Sequence, residues 1–195
     1  YGDHRDLHVR SRRQRQMCIR DRLKDHMREG TNVAISVGDY FSSMLDQSMT
    51  WDDVADLQRS WGGKFCLKGI MSADDARRAV EIGADAIMIS NHGGRQLDGG
   101  RSPFDQLEEI VQAVGGKIDI ILDGGIRRGT HILKAIALGA TACSGGRMYL
   151  YALGAAGRLG VESALGNLRD EVERDMKLMG IRSLKELTPN MIRRR

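Results

Sequence analysis

Ala84–Gly100 reads ADAIMISNHGGRQLDGG, a short apolar run that empties into a glycine-rich loop carrying one imidazole and one guanidinium. The run Ala84–Ile89 is apolar except for Asp85, which fits a strand buried in a parallel sheet. In the loop that follows, Gly93 and Gly94 separate His92 from Arg95. Glycines let the backbone adopt positive φ and let a ligand come close to it. A histidine beside an arginine suits one kind of task, moving a proton while a carboxylate is held.

The same design recurs on either side. Upstream, Thr50 before WDDVADLQRSW predicts a capped helix, with Asp52 and Asp53 in its first turn and Gly62-Gly63 as its stop. Lys64–Leu67 predicts a short strand ending in Lys68-Gly69. Ser72 caps SADDARRAVEIG, an amphipathic helix with Ala76, Ala79, Val80 and Ile82 inward and Gly83 at its close. Downstream, Pro103 opens a helix through Val114, stopped by Gly115-Gly116. Ile118–Leu122 predicts a third strand running into Asp123-Gly124-Gly125, and Thr130–Leu138 a helix stopped by Gly139. Ala140–Ser144 predicts a fourth strand running into Gly145-Gly146-Arg147, with helices over Tyr149–Gly157 and Gly160–Met179 after it. Before Thr50, Val37, Tyr40, Phe41, Met44 and Leu45 fall near helical spacing.

Short apolar strands alternating with helices are the signature of βαβ units around a parallel sheet buried on both faces. Each strand's C-terminal end carries the unusual chemistry: Lys68, then His92 and Arg95, then Asp123 and Arg127, then Arg147. In a (β/α) barrel those ends share one rim, where active sites sit. In an open sheet they line a crevice at a switch point. DGGIRRG and SGGR offer backbone N–H groups, helix N-termini and the guanidinium groups of Arg127 and Arg147, which suits a phosphate. Without Walker or GxGxxG spacing, a mononucleotide fits better than ATP or a dinucleotide. Lys68, at the end of a strand read as buried, calls for an anionic partner.

The 195 residues are 41% hydrophobic and 29% charged, a balance that supports one ordinary folded domain. No apolar run reaches the roughly 18–20 residues of a membrane helix, and the first residues lack the apolar core of a secretory signal. Cys18, Cys66 and Cys143 have no metal-like spacing, so no metal site is expected. Cys66 and Cys143 lie in apolar stretches and read as reduced core residues of an intracellular protein. The net charge of +4 belongs to the first 22 residues, which hold seven Arg against three Asp. Residues 23–195 carry 23 basic and 23 acidic groups, and aromatics are only 5%, which argues against a nucleic-acid partner. Residues 1–22 show no periodicity, and QMCIRDR at Gln16–Arg22 can be written in the codons of a common sequencing-library adaptor. They are expected to be a non-native or disordered basic segment ahead of a single unit, residues 23–195.

FCLKGI, SNHGGRQLDG, DGGIRRGT and GGR, in this order and at these intervals, resemble the C-terminal half of the FMN-dependent L-2-hydroxy-acid oxidases and dehydrogenases. The resemblance covers about residues 31–190 and is dense from Phe65 to Arg147; YLYALGAAG leans towards the L-lactate dehydrogenase branch. It implies a TIM (β/α)8 barrel, of which about the last four βα units and the C-terminal helices are present. It also implies FMN as cofactor and oxidation of an L-2-hydroxy acid, most readily L-lactate, to the 2-oxo acid. By matching position, Lys68 would face flavin N1 and O2, and Ser90 would contact the flavin. His92 would be the catalytic base beside the flavin, and Arg95 would clamp the substrate carboxylate. Asp123 would bind the ribityl chain, and Gly124, Gly125, Arg127, Gly146 and Arg147 would hold the phosphate end.

The family usually has Pro where this chain has Met148, which predicts a local loop change. The first four βα units, with the Asp that orients the catalytic His, are not matched. The chain alone is therefore expected to be a half barrel with an exposed inner face and two open edges, and to be inactive. The resemblance further implies a small 2-hydroxy acid and an electron acceptor (oxygen, quinone or cytochrome) as partners. For the full-length protein it implies homo-oligomerisation and a place in the cytoplasm or peripherally at the inner face of the cell membrane. The competing readings are an FMN barrel of another activity, such as an isomerase, a non-catalytic half-barrel assembly module, and a basic-arm nucleic-acid binder.

Overall fold

The computed structural model describes residues 48–97 and 99–193. The chain divides into two compact units, Tyr1–Met49 and Thr50–Arg195, and all regular structure among the described residues lies in the second. The expectations for residues 1–22 and for a helix around 37–45 lie outside the described residues.

Helix α1, Trp51–Trp61, starts where its sequence says it should. The Thr50 hydroxyl accepts from Asp53 N, and the Asp53 carboxylate accepts from Thr50 N at 2.7 Å. The Thr50 hydroxyl's hydrogen bond holds the Asp53 carboxyl below the usual carboxylate range. Gly62, at φ 63°, ends the helix in the left-handed region, where a side chain is disfavoured.

Four βα units follow. Strand β1 is Cys66–Lys68, helix α2 Ala73–Glu81, strand β2 Ala86–Ile89 and helix α3 Pro103–Val114. Strand β3 is Asp119–Asp123, helix α4 Gly129–Ala137, strand β4 Ala142–Ser144 and helix α5 Arg147–Met179. Ser72 caps α2 through its hydroxyl, as the sequence predicts, and the Ser102 hydroxyl caps α3 ahead of Pro103. The two expected final helices are one assigned helix whose backbone leaves helical geometry at Ala156 and Gly157, so the expected break survives as a kink.

The strands pair in parallel in the order β1-β2-β3-β4. That order decides between the two architectures left open by the sequence. A doubly wound sheet reverses its order at a switch point; here every crossover moves the same way, so right-handed connections put the helices on one face. The sheet is thus four consecutive units of a (β/α) barrel.

Alternation along the strands confirms which face the helices cover. Ile87, Ile89, Ile120 and Leu122 are buried, and they pack with Ala76, Ala79, Leu107, Ile110, Val114 and Ala135 from the helices. The residues between them, Cys66, Lys68, Ala86, Met88, Asp119, Ile121 and Asp123, are half-buried or exposed. The strand pattern by itself suits a sheet buried on both faces, whereas the half-barrel reading leaves the inner face exposed; among the described residues only the outer face is covered, in line with the half barrel.

Two cysteine expectations change accordingly. Cys66 is exposed, because it lies on edge strand β1 and its side chain falls on the uncovered face. Cys143 has the opposite phase and is half-buried; burial pushes its thiol up to about 11, so it stays a neutral packing group.

Helix α5 returns to the barrel at the start of α4. The Glu171 carboxylate accepts from Gly129 N at 2.7 Å and from Arg128 Nε at 2.8 Å. A Cβ on Gly129 would sit 2.7 Å from both Glu171 Cβ and Val172 N, so only glycine allows the two helices this close. Gly129→Ala should therefore destabilise the fold by about 1–3 kcal/mol, as overpacking does elsewhere. The check is a lower denaturant midpoint at unchanged slope.

Candidate active site

The C-terminal ends of the four strands surround a cavity of about 440 Å³. Its lining includes Lys68 from β1, His92 and Arg95 from the loop after β2, and Asp123, Gly124, Gly125 and Arg127 from the end of β3 and the loop after it. Gly146 and Arg147 lie at the start of α5, with Met148, Tyr149 and Leu150 in its first turn. Of the residues singled out by sequence, only Ser90 is not on the wall. It lies directly behind it, 3% exposed.

From there the Ser90 hydroxyl joins three strand ends. It donates to Asp123 Oδ2 at 2.6 Å, and it accepts from Lys68 Nζ at 3.2 Å and from His92 N at 3.1 Å. One donor and two acceptor sites are all a hydroxyl has. Lys68 Nζ lies 3.8 Å from the same Asp123 oxygen, so the lysine's anionic partner is a carboxylate on the neighbouring rim. The expected buried setting of Lys68 is corrected: its side chain is half exposed, because β1 is an edge strand.

The loop after β2 begins with a tight turn. Asn91 Oδ1 accepts from Gly94 N at 3.1 Å, and His92 to Gly94 form one turn of 3-10 helix. His92 has φ 57°, the sole positive φ of a non-glycine among the described residues. Such a conformation costs free energy and persists only where surrounding bonds over-determine it. Here those are the His92 N–H to Ser90 and the turn bonds on either side.

Arg147 crosses the cavity mouth. Its Nη2 donates to the Gly93 carbonyl at 2.8 Å, and a Cβ on Gly93 would meet that nitrogen at 2.8 Å. The start of α5 is thereby tied to the histidine loop. In contrast, a Cβ at Gly124, Gly125 or Gly146 would meet nothing within 4 Å. Open space over exposed glycine backbone, flanked by Arg127 and Arg147, is the donor set that takes a phosphate. The residues present therefore fit the phosphate end of an FMN.

Three residues the sequence reading passed over also shape the site. Gln96 Nε2 lies 3.0 Å from His92 Nδ1. His131 Nδ1 lies 3.3 Å from Arg127 N and 3.1 Å from the Gly125 carbonyl oxygen, bracing the glycine loop from α4. Both lie four residues from a partner, a spacing that one helical turn brings together. Glu171 had no such signal, being 42 residues from Gly129.

Two measurements check this geometry. Ser90→Ala leaves a half-buried carboxylate, an ammonium and an N–H without their common buried partner; it should cost about 1–3 kcal/mol and speed amide exchange at His92. The Glu171 carboxyl is held below the usual carboxylate range first by the Gly129 N–H and then, against desolvation, by Arg128. Its stabilisation is thus present above the unfolded-state value and is lost as pH falls through the depressed folded one. Glu171→Gln should flatten the acid limb of stability against pH.

Comparisons with known proteins agree with the geometry. The model of the family described as FMN-dependent dehydrogenase matches residues 3–194. An L-lactate oxidase of Nostoc sp. is 45% identical over 168 residues, which is 84% of this chain and 46% of that protein. A pre-mycofactocin synthase of Mycolicibacterium smegmatis is 46% identical over 143 residues, 73% of this chain and 36% of that one. Among solved structures, a flavocytochrome b2 variant with sulfite bound superposes with a TM-score of 0.72 at 42% identity, covering 75% of this chain and 39% of that one. The chain thus spans less than half the length of these relatives. With four sequential βα units, a cationic cradle at their rim and a family match along nearly its whole length, this chain belongs to the FMN-dependent dehydrogenases, and its family's cofactor is FMN.

Proposed function

We propose that this chain is the flavin-phosphate and substrate-acid side of an enzyme that oxidises an L-2-hydroxy acid, with L-lactate as the preferred substrate, to the 2-oxo acid. The observation that carries the reading is the convergence of Lys68, His92, Arg95, Asp123, Arg127 and Arg147 on one cavity from four successive units. FMN, when bound, supplies the two-electron acceptor.

The chain's own residues divide the remaining work. Arg127 and Arg147 hold the phosphate, with the N–H groups of Gly124, Gly125 and Gly146. Asp123, anchored by Ser90, offers its carboxylate to the ribityl hydroxyls. Lys68, with its ammonium at the rim, would supply positive charge beside the flavin ring. Arg95 holds the substrate carboxylate, and a planar fork of donors makes that grip directional. His92 takes the substrate's proton. The preference for L-lactate is supported by the L-lactate oxidase relative and by the YLYALGAAG stretch at Tyr149–Gly157. Oxygen, a quinone or a cytochrome would then accept the electrons.

The test joins this chain to the first half of the Nostoc L-lactate oxidase and loads the chimera with FMN. Anaerobic addition of L-lactate should bleach the flavin. His92→Ala should slow bleaching by about 10²–10⁴-fold with the flavin retained. A chimera that bleaches equally well without His92 would refute the assignment. The unfused chain should bind FMN in preference to riboflavin and should not be bleached, since the rest of the barrel is needed to complete the site. Equal binding of the two flavins would refute the phosphate cradle.

A further inference from the structure

We infer that His131 is a positioning residue of the phosphate cradle, and that an anion held there is bound together with a proton on the His131 ring. The inference rests on the reading of residues 124–127 as the phosphate end of the site.

The ring stands between two groups of opposite demand. His131 is the third residue of α4 and is half-buried. Its Nδ1 lies 3.3 Å from Arg127 N and 3.1 Å from the Gly125 carbonyl oxygen. Both partners are backbone, so their roles are fixed: the first only donates and the second only accepts. One ring nitrogen serves one of them at a time. With a lone pair on Nδ1 the ring accepts from Arg127 N–H and sets that lone pair against the Gly125 oxygen. With a proton on Nδ1 it donates to Gly125 and sets that proton against the Arg127 N–H. The conflict is therefore the same whichever tautomer the neutral ring adopts.

An anion resolves it. By accepting from the Arg127 N–H it leaves Nδ1 to donate to Gly125, and all three groups are then paired. The negative charge beside the ring also favours a second proton, taken from solvent, over the neutral form. The fixed charges around the ring set the sign. Arg127 and Arg128 precede it in the same loop, Lys134 follows within α4, and Arg147 lines the cavity from the start of α5. All four oppose a further positive charge. The acidic groups nearby are already engaged. Glu171 of α5 accepts from Arg128 and Gly129 N, Asp175 pairs with Arg174, and Asp123 at the end of β3 accepts from Ser90 beside Lys68. Strand β4, which also packs on α4, carries no charge. A dianion thus supplies the negative charge that the ring lacks, and by linkage proton and anion favour each other's binding. Anion affinity should rise as pH falls through the imidazole range and be lost as pH rises through it.

Sulfate is the probe, because it keeps both charges where imidazole titrates. Its binding to the whole 195-residue chain without flavin is followed by calorimetry from about pH 5.5 to about pH 8. Wild-type affinity should fall by about tenfold across that range. His131→Phe keeps a ring and removes both nitrogens, and its sulfate affinity should be nearly flat with pH. His92 lines the same cavity and is common to both chains, so the comparison isolates His131. The wild-type ring reports the same event without a variant: near neutral pH, saturating sulfate should move both ¹⁵N signals of His131 to those of a protonated imidazole. An equal pH dependence in His131→Phe, or His131 signals that saturating sulfate leaves in place, would overturn the inference while the cradle stands. A wild-type chain that binds no sulfate at any of these pH values would overturn the inference and the cradle together. The bleaching test of the proposed activity reads His92 and is independent of all three results.

Discussion

A buried hydroxyl holds the rim of this half barrel together. Parallel strands that twist in sequence fan apart at their ends, and no backbone ladder continues beyond the last pair. Ser90 spans the gap by using its proton towards Asp123 and its two acceptor sites towards Lys68 and the His92 N–H. Because the group is almost fully buried, water cannot replace these bonds, and each raises the cost of losing the others. The unusual φ of His92 is stabilised by the same knot, so the backbone position of the imidazole and the side-chain position of the lysine share one determinant.

Around that knot the charges are unequal. Lys68, Arg95, Arg127 and Arg147 face Asp123, with Gly124, Gly125 and Gly146 contributing backbone that no side chain covers. Such a rim attracts anions and leaves them room. The start of α4 is treated differently. There Glu171 already occupies the Gly129 N–H and pairs with Arg128, so of the two adjacent arginines only Arg127 lines the cavity. Arg147 meanwhile gives one of its five N–H donors, on Nη2, to the Gly93 carbonyl, which links the anion end of the cavity to the histidine end through a single side chain.

Much of this was legible in the chain. The sequence starts helices at Thr50 and Ser72 because a short polar side chain before an apolar run satisfies orphan N–H groups from within one turn, and Ser102 does the same ahead of Pro103. The helix over Pro103–Val114 is where the sequence places it, while each strand is displaced or shortened by one or two residues, since pairing depends on the neighbouring strand. The residues that line the cavity stand out in the sequence as a set because each ends or follows a strand. Gln96 and His131 do not, although each lies one turn from its partner, because amide and imidazole roles depend on which atom faces which. The burial of Cys66 was misjudged, since an apolar stretch does not say which face of an edge strand is covered.

The sequence by itself determined that strands and helices alternate, and that lysine, histidine, arginine and glycine follow the strands; these are local facts, settled by side-chain period and by capping. Only the tertiary structure decided that the strands keep a single direction of progression, which turns four separate ends into one rim. It alone also showed that Ser90, Asp123 and Lys68 meet, that Arg147 reaches Gly93, and that Glu171 closes the start of α4. These are contacts across tens of residues. Their partners are chosen by sheet register and helix packing, which no stretch of sequence shorter than the fold can express.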